Sequence, residues 1–141
     1  MPHQLSLYTA YTLNNSEYVG SGDALVDANQ NIMPGTDVTG VPDRLWVVSL
    51  DRAGPLSAGI SAKYTSPRRV SLVADWTTDE YWMMHAYVVS SGEVLSDLLR
   101  STTFELVAND LLDEAYLSAI TENAAWLGAA RSVSMTVTFS F

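Results

Sequence analysis

From Arg131 to Phe141 the sequence alternates without a break: Val133, Met135, Val137, Phe139 and Phe141 fall on one side, five Ser or Thr on the other. Side chains of a strand project to opposite faces in turn, so this segment meets an apolar environment on one face and a polar, uncharged one on the other. A chain with such a segment must build a sheet with two unlike faces.

Five further segments read as strands: Leu5–Tyr18, Asp43–Arg52, Leu56–Thr65, Glu80–Ser90 and Thr102–Asn109. Leu5, Leu7, Thr9, Tyr11 and Leu13 oppose Ser6, Tyr8, Ala10, Thr12 and Asn14. Ala58, Ile60, Ala62 and Tyr64 oppose Ser57, Gly59, Ser61 and Lys63, and Phe104, Leu106 and Ala108 oppose Thr103, Glu105 and Val107. In the other two segments Trp46, Val48 and Leu50, and Trp82, Met84, Ala86 and Val88, supply the apolar side, against mixed opposite faces. The links alternate in length: Val19–Pro42 is long, Ala53–Pro55 very short, Ser66–Asp79 long, Ser91–Ser101 intermediate and Asp110–Ala130 long. Together these features predict an all-β, antiparallel up-and-down meander of six strands. Of the 141 residues 48% are hydrophobic and 16% charged, yet no run approaches the ~20 apolar residues of a membrane helix. Dispersed apolar content, strands of suitable length and long links on one side only match a transmembrane β-barrel, with its lipid-facing exterior and wet interior. An even strand count then puts Met1 and Phe141 on the same, periplasmic side.

Seven basic against sixteen acidic residues give a net charge of −9, which argues against nucleic acid as a partner. Without cysteine there are no disulfides or thiolate metal sites. Met1-Pro2-His3-Gln4 has neither the basic nor the apolar region of a signal peptide, so either an export signal lies upstream or the chain is not exported. Asp27, Asn29 and Asn31 copy the first spacings of a calcium loop, but Ile32 and Val38 stand where Gly and Glu are needed, leaving a polar loop tip. His3 and His85, the only histidines, lack the spacing of a metal or hydrolytic site, and His85 suits a lumen-facing position. No metal or other cofactor is expected. Asp113, Glu114 and Tyr116 look like an acid/base cluster but suit the pinning of a corner. No nucleophile, base and orienter converge, so no enzyme is expected.

Several pieces in order carry a family resemblance. They are Leu5-Ser6-Leu7-Tyr8-Thr9-Ala10-Tyr11-Thr12-Leu13-Asn14-Asn15-Ser16-Glu17-Tyr18, Gly40-Val41-Pro42, Gly54-Pro55-Leu56-Ser57, Ser61-Ala62-Lys63-Tyr64-Thr65, Tyr87 and Leu127-Gly128-Ala129-Ala130-Arg131 with the terminal strand. The most specific is Asn109-Asp110-Leu111-Leu112-Asp113-Glu114-Ala115-Tyr116, similar to an Asn-Leu-x-Asp-x-x-Tyr signature. Over residues 1–141 the chain resembles the C-terminal part of the barrel of TonB-dependent outer-membrane receptors. It departs from the pattern at Asp110, where Asn is usual, at Ala130, where Pro commonly precedes the Arg, and at His85, where an acidic residue is common.

The resemblance implies a piece of a barrel of about 22 strands, without the plug domain and TonB box. Such a receptor sits in the bacterial outer membrane and takes up a scarce ligand: a siderophore, cobalamin, an oligosaccharide or a metal chelate. As a fragment this chain would be inactive. Its partners would be outer-membrane lipid, lipopolysaccharide and the barrel-assembly machinery, which reads Val133, Met135, Val137, Phe139 and Phe141; TonB would act only through the missing plug. Trp76, Trp126 and Tyr81, in or beside the long links, and the adjacent pair Arg68 and Arg69 are the candidate ligand contacts. Asn109, Leu111, Asp113 and Tyr116 carry the signature. A soluble β-sandwich binding module is the alternative reading.

Overall fold

The computed structural model describes residues 4–19, 35–71, 76–121 and 124–140. Among the described residues eight strands form: β1 Gln4–Leu13, β2 Arg44–Ala53, β3 Leu56–Thr65, β4 Tyr81–Ser91, β5 Thr102–Asn109, β6 Leu117–Thr121, β7 Ala124–Leu127 and β8 Ser132–Phe139. Six make one open sheet in the order β1-β2-β3-β4-β5-β8, every neighbouring pair antiparallel, and β6 and β7 form a separate hairpin. The expected all-β antiparallel meander is therefore present. The sheet does not close on itself, since β1 and β8 are its two edges. Among the described residues no helix is long and apolar enough to cross a membrane.

Cross-strand partners point to the same side, so the register defines both faces. One row runs Leu7–Leu50–Ile60–Ala86–Ala108–Val133, and the next Leu5–Arg52–Ala58–Val88–Leu106–Met135. Phe104 pairs with Val137, Leu106 with Met135 and Ala108 with Val133, which puts the apolar sets of the last two strands on one face as their patterns predict. The opposite face carries Ser6, Ser49, Asp51, Ser57, Ser61, Lys63, His85, Tyr87, Glu105, Ser134 and Thr136, with Leu45, Val47, Met83, Val89 and Val107 among them.

The register also drifts. The Leu7–Val133 row crosses β1 1.5 residues to the short-link side of its midpoint and β8 2.5 residues to the long-link side. That drift of four residues is about 13 Å along the strands against about 24 Å across five strand spacings, a tilt of about 30°. A barrel wall needs such a stagger, with tilts of roughly 35–45° in closed barrels.

Among the described residues no second layer covers either face. Tyr81, still 8% exposed, is the only buried hydrophobic one among the described residues. The accessible surface is 9783 Å², about a third more than the roughly 7,200 Å² of a compact monomer of this mass.

Three sequence expectations shift. The first strand, expected to reach Tyr18, ends at Leu13: Asn14 makes one more in-register bond, its N–H to Asp43 O, and its side-chain amide donates to Pro42 O, both at 2.8 Å, before the polar run Asn15 to Glu17. Beyond it the chain continues only as a narrow ribbon: Glu17 bridges Asp37, and Tyr18 N–H bonds Thr36 O. The link Asp110–Ala130 contains the β6–β7 hairpin, and Ser91–Ser101 folds into two short 3-10 turns. The calcium-like residues Asp27, Asn29, Asn31 and Ile32, with His3 and Phe141, lie outside the described residues.

Candidate functional site

At the long-link end of the apolar face four aromatic residues stand side by side in one row: Tyr11, Trp46, Tyr64 and Trp82. Trp46 and Trp82 lean across β3 to meet edge to face at 5.8 Å, and Tyr64 lies 5.2 Å from Trp82. Two of the polar tips are engaged: Trp46 Nε1 donates to Thr9 Oγ1 at 2.9 Å and the Tyr64 hydroxyl to the Glu80 carboxylate at 2.6 Å. Rings with an apolar body and a satisfied polar end suit a boundary between water and hydrocarbon.

The polar face holds a small network at its centre. Asp51 accepts from the Tyr87 hydroxyl at 2.9 Å and the Ser49 hydroxyl at 3.2 Å. Tyr87 reaches it only because Gly59 lies between them; a Cβ there would overlap both the ring and the carboxylate. Ser49, Ser61 and His85 occupy the adjacent row, beside a cleft of about 150 Å³. Hydroxyls, one carboxylate and one imidazole make a wettable wall able to exchange hydrogen bonds with a polar ligand. Among the described residues no three His, Asp or Glu side chains gather closely enough to hold a metal ion.

The Asn109–Tyr116 segment clamps the β6–β7 hairpin to the end of the sheet. Asn109 contacts Ser132 Oγ from its side-chain amide at 3.4 Å, and Leu111 N–H donates to Met84 O at 2.9 Å. Asp110 and Asp113 take left-handed backbone angles, φ 52° and 55°, which Asp tolerates better than most residues. Glu114 accepts the Trp82 N–H at 3.2 Å, and Asp113 pairs with Arg131 at 3.2 Å. Tyr116 stacks on Tyr81 at 4.7 Å and packs so closely on Gly128 that no Cβ fits there. Asp113, Glu114 and Tyr116 thus fix a corner. Asp110 is buried, and neither of its carboxylate oxygens has a hydrogen-bond partner.

The expected ligand contacts separate into two groups. Trp76 and Trp126 are well exposed, Trp76 on the short 68–70/76–78 ribbon and Trp126 on β7. Tyr81 is buried in the tyrosine stack, and Arg68, 7% exposed, lies against it and donates to Leu117 O. Arg69 donates to Ser71 O. Val133, Met135, Val137 and Phe139 line the exposed apolar face of β8. A cleft of about 350 Å³ opens beside the stack, walled by Thr77, Asp79, Glu80, Tyr81, Glu114 and Tyr116.

Charge is partitioned in a way that period-by-period reading misses, though plain counting along the chain finds it. Residues 14–43, 66–80 and 110–131 hold twelve acidic and three basic residues, while the rest of the chain holds four of each. By sequence, the whole net charge of −9 therefore falls in the three long links, and the rest of the chain is neutral. The chain matches no protein-family model and no curated protein.

Proposed function

We propose that this chain is a stretch of outer-membrane β-barrel wall, the C-terminal part of a TonB-dependent receptor that takes up a scarce ligand from outside the cell. The observation that carries this reading is the apolar face running through all six strands, over which no layer lies among the described residues. In water such a face is a liability; against hydrocarbon it is the favourable arrangement. The aromatic row at one end, the strand stagger and the wettable opposite face support the same placement. TonB dependence, and with it the ligand class, rests on the order of the sequence motifs, above all Asn109 to Tyr116. Six strands are about a quarter of a 22-stranded wall. The plug domain, through which TonB would act, lies outside these residues.

In this reading the ribbons at 16–18/35–38 and 68–70/76–78 and the β6–β7 hairpin face outward, and Trp76 and Trp126 meet the ligand. The apolar face contacts lipid, and the acidic long links meet the lipopolysaccharide layer. A β-sandwich would need a second sheet over the apolar face, and β6–β7 forms no ladder with the main one. The test is refolding into vesicles containing lipids brominated at defined depths. Brominated chains should quench Trp46 and Trp82 most strongly at shallow positions while leaving Trp76 and Trp126 bright, as read in single-tryptophan variants. A chain that stays in solution without detergent, with all four tryptophans unquenched, overturns the proposal.

A further inference from the structure

Among the described residues nothing pairs with the two outer edges of the sheet. Free edges in natural sheets are usually blunted by charge, proline or a bulge, because an open row of N–H and C=O groups templates further pairing. Neither β1 (Gln4–Leu13) nor β8 (Ser132–Phe139) contains a charged residue or a proline, and each pairs with its inner neighbour in unbroken register. Arg44, Asp51, Arg52, Lys63 and Glu105, the charges of the sheet, all lie on inner strands.

The edges also fit one another. With six strands in strict antiparallel order, β1 and β8 run in opposite directions, so β8 of one chain can pair antiparallel with β1 of another without inverting either sheet. The faces agree as well. Val133, Met135, Val137 and Phe139 would continue the row of Leu5, Leu7, Tyr11 and Leu13, and Ser134, Thr136 and Thr138 that of Ser6, Tyr8, Ala10 and Thr12. A β1–β1 or β8–β8 contact related by a two-fold axis would satisfy one pair of edges and leave the other two bare. The head-to-tail contact uses both edges of each copy and closes when the rotation allows.

We propose that the chain, on its own, associates head to tail with further copies of itself through β8 of one copy and β1 of the next, continuing the sheet into a multichain wall. The two faces are preserved across each junction, so the assembly keeps one apolar and one hydroxyl-rich surface. In an intact receptor the same edges would be taken by strands of the same polypeptide; the self-pairing proposed here goes beyond that reading.

The test is disulfide trapping in the detergent-refolded full chain, which has no native cysteine. Ala10→Cys on the polar face of β1 is combined in turn with Ser132→Cys, Ser134→Cys, Thr136→Cys and Thr138→Cys on that of β8, which covers the accessible registers. Mild oxidation should link different chains in at least one pairing, giving a ladder of multiples, while each single-cysteine protein stays unlinked. Mass measurement in detergent should show whole multiples of 15.4 kDa. Far-UV circular dichroism selects the variants that fold. Links between two β1 cysteines or two β8 cysteines, or a single-chain mass with no link in any pairing, overturn the proposal. A single chain that enters vesicles sinks self-pairing and leaves the barrel-wall reading standing, whereas β8–β1 links in a chain that ignores lipid do the reverse.

Discussion

Ile60 and Leu56 lie on the same face of β3 and are almost equally exposed, at 42% and 40%. In water, replacing either by Arg removes the same partial burial and costs about 1–2 kcal/mol at both sites. In a bilayer they differ, because Ile60 is at the midpoint of the strand and Leu56 at its short-link end, about 13 Å away along the chain. An arginine at mid-depth costs about 2–4 kcal/mol and one near the interface about 0–1 kcal/mol. Ile60→Arg should therefore be the more damaging by about 2–3 kcal/mol, a roughly 30- to 150-fold difference in the folding equilibrium. Ser61→Arg, one residue on but on the wettable face, should cost far less than Ile60→Arg. The assay is a urea titration of each variant in phospholipid vesicles, followed by tryptophan emission. Equal losses for Ile60→Arg and Leu56→Arg, or a Ser61→Arg loss matching that of Ile60→Arg, would refute the lipid-facing assignment.

The corner should improve when Asp110 becomes Asn: a buried carboxylate without partners gives way to a neutral amide that accepts the same left-handed backbone, a gain of roughly 1–3 kcal/mol in chemical denaturation. Gly59→Ala should cost roughly 1–3 kcal/mol, since the added methyl displaces Tyr87 from Asp51; Tyr87→Phe at an otherwise wild-type site should cost less. Arg131→Ala removes a half-exposed ion pair and should change stability by no more than about 1 kcal/mol in low salt. In the proposed receptor, Trp76→Ala and Trp126→Ala should weaken ligand uptake without lowering the amount of barrel in the membrane; unchanged uptake in both would remove these residues from the proposed capture surface.

The faces of the sheet were legible in the sequence because period-two patterning is a local property, and pairing only had to bring like rows together. β3 and β5 begin and end where the alternation begins and ends. β1 does not reach the expected Tyr18: the alternation gives way after Leu13 to the polar run Asn14 to Glu17, and Asn14 makes the last in-register bond, to Asp43 O, while its side chain is held by Pro42 O. That contact spans 28 residues and leaves no trace in a short window. The β6–β7 hairpin was hidden for a different reason: Leu117-Ser118-Ala119-Ile120-Thr121 and Ala124-Ala125-Trp126-Leu127 carry weak patterning and no glycine turn between them. What holds the hairpin is tertiary, the seating of Tyr116 between Tyr81 and Gly128.

Asp110 shows where local and tertiary preferences part. Its residue type suits the left-handed turn, but the packing around that turn gives its charge no partner. Local consistency normally accompanies a stable fold, and breaks in it concentrate where function or strain has a claim. Here the break adjoins the acidic long links, so the corner's shape and its charge answer to different demands. Asp110→Asn separates them: it should leave the clamp intact while removing one negative charge from the end of the sheet that the proposed receptor turns outward.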